Sequence, residues 1–181
     1  MSGVEFELCG TFVSRESRWC KKFKNGHISS PPSPRAWAAL LLSLKDQWGN
    51  TPSSWNISDD PCGAWDGITC NNDSRVTALA LNLNNLTGEI PSSLGKLSKL
   101  YWLDLAENQL TGPLPVSTPV DPGLDLLKKA KHFLLNQNQL EGSIPATIGE
   151  VQTLEVLVIE YGPLQGSLPP ELFGLPQIQQ V

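Results

Sequence analysis

At 181 residues with 17% charged side chains and a net charge of −5, the chain is long enough for one packed core and too acidic to favour a nucleic-acid partner. It holds no run of 18 or more apolar residues, so nothing in it reads as a membrane-spanning helix. With two histidines, and no nucleophile, base and orienting residue grouped together, it is expected to be no enzyme and to carry no cofactor or metal.

Residues 1–35 hold six Lys or Arg against three Glu, whereas the remainder has seven basic and fifteen acidic residues. His27 to Arg35, HISSPPSPR, reads as a linker. This arm is expected to be either a disordered basic tail or a replacement for a missing N-terminus with its signal peptide. Nothing in the sequence pairs Cys9 or Cys20. The longest apolar run, AWAALLLSL from Ala36 to Leu44, has the length of a signal-peptide core, but no small-residue cleavage site follows it. Cys62 and Cys70 lie close together around Trp65, Asp66 and Gly67, with no histidine nearby to support a metal site. Asn56, Asn72 and Asn85 each open an N-glycosylation sequon, a pattern that favours an extracellular protein.

From residue 76 onward one phrase recurs. VTALALNLNNLTGEIP (Val76 to Pro91) is followed in register by LYWLDLAENQLTGPLP (Leu100 to Pro115). Two more copies begin at Ala130 and Leu154, and a partial one begins at Ile178. The repeats therefore span 76–99, 100–129, 130–153 and 154–177, with 178–181 as a fragment. A period in the twenties carrying L-x-x-L-x-L is the signature of a leucine-rich repeat solenoid, an α/β architecture that builds binding surfaces. The alternation predicts short parallel strands with one buried face. Asn84, Asn108 and Asn138 are expected to turn inward and bond backbone groups of the turns. Gly162 replaces that Asn in the fourth repeat, which puts its turn in question.

The second repeat has 30 residues where the others have 24. Asp121-Pro122 predicts a helix start, with Leu124, Leu127 and Ala130 on one face and Lys128, Lys129 and Lys131 at its C-terminal end. Strand phasing puts Ala78, Ala80 and Asn82 on the concave face, then Trp102, Asp104 and Glu107, then His132, Leu134 and Asn136, then Val156, Val158, Glu160 and Tyr161. The candidate ligand-binding set is Trp102, Asp104, Glu107, His132, Leu134, Val158, Glu160 and Tyr161.

The L-x-G-x-I-P ending of each repeat, together with AALLLSLKDQWGNTPSSWNISDDPCGAWDGITC from Ala38 to Cys70, resembles the N-terminal cap and first repeats of plant leucine-rich-repeat receptor-like kinase ectodomains. That resemblance covers residues 36–181. It implies a helical cap over 36–75, closed by a disulfide between Cys62 and Cys70. It also implies a peptide or protein ligand, a possible co-receptor, and a place on the outer face of the plasma membrane or in the apoplast. The kinase motifs and the membrane span of such receptors are absent from these residues. The apolar end of the fourth repeat suggests a truncated form, because solenoids need polar capping repeats. The rival expectation is a soluble apoplastic inhibitor, decoy or co-receptor partner, or a fragment with no independent function.

Overall fold

The computed structural model describes residues 6–11, 18–23 and 36–181, with side chains from residue 38 onward. It divides into two units, Met1–Ala36 and Trp37–Val181. In the first, strands β1 (Phe6–Thr11) and β2 (Arg18–Phe23) pair antiparallel, and their register sets Cys9 opposite Cys20. The rest of the expected disordered arm lies outside the described residues.

The second unit opens with helix α1 (Ala36–Gln47). Leu40, Leu41 and Leu44, with Trp48 just past the helix, form one buried stripe. Trp48 donates its indole N–H to the Glu89 carbonyl at 2.8 Å, and Gly49 pairs with Thr87, fastening the helix to the first repeat. A 3-10 turn (Ser53–Asn56) and the one-turn helix α2 (Pro61–Ala64) follow. Asp60 caps α2 by accepting the Cys62 N–H, and Pro61 takes the first helical position, where no amide is needed. Trp55 and Trp65 stack with centroids 4.4 Å apart, and each indole N–H finds a backbone carbonyl, on Asp66 and Ser58 respectively. The Cys62–Cys70 disulfide ties α2 to strand β3 (Ile68–Cys70).

Strand β3 runs antiparallel to β4 (Val76–Ala80) and starts the main sheet. A second, three-stranded parallel sheet begins at β5 (Thr87–Glu89). The main sheet continues through β6 (Trp102–Asp104) and the second through β7 (Gln109–Gly112). Strands β8 (His132–Leu134), β9 (Gln139–Leu140) and β10 (Val156–Val158) complete both. The main sheet has the order β10-β8-β6-β4-β3, and the second β5-β7-β9. Gln180 extends the main sheet by one isolated bridge to Val156. Each coil closes on the convex side with a 3-10 turn: Ser92–Lys96, Leu124–Leu126, Ala146–Glu150 and Pro170–Gly174.

The repeat leucines fill the space between these surfaces; Leu79, Leu81, Leu86, Leu103, Leu105, Leu110 and Phe133 are fully buried. The asparagine ladder lies among them. Asn108 donates its amide to the carbonyls of Leu81, Leu105 and Ala106, and its oxygen accepts the N–H groups of Asn84 and Leu86. Asn138 repeats the pattern one coil on, with Leu105, Leu135 and Asn136 as acceptors and Leu110 as donor.

The helix expected at Asp121 does not form. The second repeat has one 3-10 turn beginning after Gly123, and Asp121 caps nothing. Leu124 donates to the Pro115 carbonyl, as Leu94 does to Pro91 and Ile148 to Pro145. The six additional residues are therefore a loop between two fixed ends. Buried Asp125 holds that loop by accepting the Ser117 backbone N–H at 2.7 Å and the Ser117 hydroxyl. A bond across the loop replaces the helix because Pro115 and Leu124 must keep their places in the coil. Two of the three lysines serve neighbouring coils rather than a helix end: Lys128 pairs with Glu150 at 3.2 Å and Lys131 with Glu155 at 2.6 Å.

Candidate functional site

Parallel register arranges the concave face in rows that cross the coils. One row is Ala78, Trp102, His132 and Val156; the next is Ala80, Asp104, Leu134 and Val158. These residues share a face because side chains alternate along a strand, while Leu79, Leu103, Phe133 and Leu157 between them point into the core. Trp102 packs against His132 at a centroid distance of 4.3 Å, its ring tilted by 34°. His132 Nδ1 is buried there and has no hydrogen-bond partner among the described residues.

Asp104 accepts the Ala106 N–H at 3.1 Å. Burial pushes its carboxyl above the ordinary aspartate value; the Ala106 bond opposes that rise and neighbouring Glu107 adds to it. At the strand starts Glu155 shows the opposite case: its hydrogen bond from Lys131 holds its carboxyl below the ordinary glutamate value.

Glu107 does not occupy the strand phase assigned to it. Ala106, buried, takes that position, and Glu107 sits on the turn after the strand with φ 54°. Leu83, Gln137 and Tyr161 hold the same place in their coils with φ of 59°, 55° and 58°. The left-handed turn therefore recurs in every coil without glycine, the fourth included, despite Gly162. Tyr161, at 74% exposure, and Leu83, at 67%, stand at opposite ends of this turn row. Glu160 is exposed beside Tyr161. It also lines a cleft of about 240 Å³ at the last coil, walled by Ile144, Leu157, Val158, Ile159, Leu168 and Val181.

The concave rows thus bring Trp102, Asp104, His132, Leu134 and Val158 together, with Glu107, Glu160 and Tyr161 along the turn edge. Asn56, Asn72 and Asn85 are all exposed and all lie in the cap and first coil. Sequence reasoning missed the second sheet, whose signal is the shared Leu-x-Gly after each turn, and the Trp102–His132 contact, which depends on register across the inserted loop. No group of three or more metal-ligating side chains occurs among the described residues, and no described helix is long and apolar enough to cross a membrane.

Residues 38–71 match the family described as leucine rich repeat N-terminal domain, and residues 75–97 match the leucine rich repeat. Among curated relatives, the LRR receptor-like serine/threonine-protein kinase GSO2 of Arabidopsis thaliana is 41% identical over 139 residues, which is 74% of this chain and 11% of the relative. The chain spans between 7% and 16% of the length of the first curated relatives it matches. Among solved structures, the BIR2 ectodomain of Arabidopsis thaliana superposes with a TM-score of 0.70 at 27% identity, covering 79% of this chain and 76% of that one. A chain of the BIR3–SERK2 complex from the same plant gives 0.66 at 30% identity, covering 78% and 77%. The chain belongs to the leucine-rich repeat family, in the form carried by the ectodomains of plant receptor-like kinases.

Proposed function

We propose that this chain is a non-catalytic recognition module whose concave sheet face binds a peptide or protein ligand, as part of receptor-type signalling at the outer face of the plasma membrane or in the apoplast. The observation that carries the reading is the patch of Trp102, His132, Leu134 and Val158, which the sheet holds in adjacent strands where no described element covers it. Partly exposed aromatic and aliphatic groups on a rigid sheet lose little conformational entropy on binding, and such groups anchor interfaces. The turn-edge residues Glu107, Glu160 and Tyr161 form the polar rim in this reading. A second leucine-rich repeat ectodomain fits as co-receptor, in keeping with the likeness to a chain of the BIR3–SERK2 complex. The cap (36–75) and the repeats (76–181) work as one continuous support. Exposed Asn56, Asn72 and Asn85 carry N-glycans, and Cys62–Cys70 stays oxidised, as a secreted protein requires.

Panning a random peptide library displayed on phage against the full chain tests the surface. Enriched peptides are expected to lose about tenfold or more in affinity for Trp102→Ala, the scale of a hot-spot loss. They should keep their affinity for Phe173→Ser on the convex side. Peptides that ignore Trp102 and depend on Phe173 would overturn the reading. Peptide mass spectrometry of the secreted protein reads the three asparagines directly; bare asparagines would remove the extracellular assignment.

A further inference from the structure

Trp102 has a side that the fold leaves low. On one side its ring meets His132; on the other, its register partner is Ala78, and the partner of Asp104 is Ala80. Each alanine has a single side-chain carbon, too short to rise to the level of the indole. The ground beyond Ala80 is also small: Ala80 donates its N–H to the Gly67 carbonyl at 2.7 Å. Gly67 has φ 79°, and a Cβ there would meet the Ala80 carbonyl oxygen at 2.5 Å, so the backbone admits only glycine at that point. The first coil thus offers a low step at Gly67 and exposed Ala80, flanked by the Asp104 carboxylate and, diagonally, by Trp102, while Ala78 lies buried between Trp102 and its other register partner Thr69.

The charges around the low step are polarised. Arg75, Lys99 and Lys129 occupy one equivalent position at the strand starts, and Lys131 there is already paired with Glu155. Asp104, Glu107 and Glu160 lie on the strand-end side, and none has an ion pair among the described residues. An aromatic face beside an unpaired carboxylate attracts a cation on two counts: the ring quadrupole and the formal charge. Strand spacing of about 4.8 Å places a group over Ala80 one strand from Asp104 and diagonally beside Trp102.

We infer that the low step at Ala80 takes a cationic side chain of the ligand, an arginine guanidinium, packed against Trp102 and bonded to Asp104. The neighbouring apolar residues of an extended ligand then cover Leu134 and Val158. Arginine fits better than lysine because its planar fork can stack and bond a carboxylate at the same time. This assignment rests on the concave-face reading above and names its ligand chemistry.

The test uses the full chain with labelled tryptophan, following the Trp102 indole resonance, which is identified by its loss in Trp102→Phe. Three capped peptides serve as probes: Ser-Leu-Arg-Leu-Ser, the same peptide with citrulline for arginine, and the same with glutamate. The arginine peptide is expected to shift the Trp102 signal and to bind more weakly as salt rises. The citrulline peptide, which keeps the shape and loses the charge, should bind about tenfold more weakly, as should the arginine peptide to Asp104→Asn. Ala80→Leu, an exposed change that fills the low step, should abolish the shift while leaving the spectrum of the cap unchanged. Equal binding of the citrulline or glutamate peptide at Trp102 would overturn the cationic assignment and leave the concave-face reading intact. Absence of any shift on the concave face with all three peptides would overturn the cationic assignment, and the library panning would then decide the wider reading on its own.

Discussion

Coils two and three differ from coil four in one buried side chain. Asn108 and Asn138 each reach back to the preceding coil and forward along their own turn, joining backbone groups that would otherwise be buried without partners. Gly162 offers no such group, although Tyr161 before it keeps the same left-handed turn as Glu107 and Gln137. The turn geometry is therefore set by the coil as a whole, and the ladder amide serves to satisfy and fasten that turn. Coil stability should then depend on the amide more than coil shape does.

The largest effect should come from breaking the complete ladder. Asn108→Ala leaves the Leu81 carbonyl and the amides of Asn84 and Leu86 without their partner, while the Leu105 carbonyl keeps its bond from Asn138. The expected loss is roughly 3–5 kcal/mol in urea unfolding of the full chain, since each stranded buried group costs on the order of 1–3 kcal/mol. A loss equal to that of an exposed asparagine would mean that water replaces the ladder. Next in size is the cap. Replacing Cys62 and Cys70 together by serine removes a short cross-link, and the expected loss is about 2–3 kcal/mol. Hydrogen exchange should localise that loss to Trp55, Trp65 and β3, with the coil-three ladder unaffected.

Gly162→Asn sharpens the comparison from the other side. It restores the ladder group, but its Cβ would stand 3.1 Å from the Asn138 carbonyl oxygen, so a small backbone shift offsets part of the gain. The expected net stabilisation is about 0.5 kcal/mol, seen as slower amide exchange in coil four. The smallest effect concerns Asp104. Its carboxyl titrates above its ordinary value because burial disfavours the charge, so the folded state holds that proton more tightly than the unfolded one. The penalty is present above the folded pKa and disappears as pH falls through it. Asp104→Asn should therefore raise the melting temperature slightly near neutral pH, and the advantage should vanish in acid. An advantage that grows in acid would contradict the burial assignment.

Much of this molecule was legible before any coordinates. Phased leucines bury one side of each short strand wherever the chain folds back at a fixed period, so Leu79, Leu103, Phe133 and Leu157 were determined as core by the sequence alone. The inward turn of Asn108 and Asn138 followed from the need to satisfy turn backbone. Tertiary structure decided what depends on neighbours. Asp121-Pro122 has a good local helix start, but the coil requires Pro115 and Leu124 to hold the places of Pro91 and Leu94, and the Asp125–Ser117 bonds closed the insert as a loop. The second sheet, the Trp102–His132 contact and the low step at Ala80 beside Asp104 all arise from register between coils. Periodicity within one repeat carries the inside and outside of a strand; only the stacking of repeats determines which outward side chains meet.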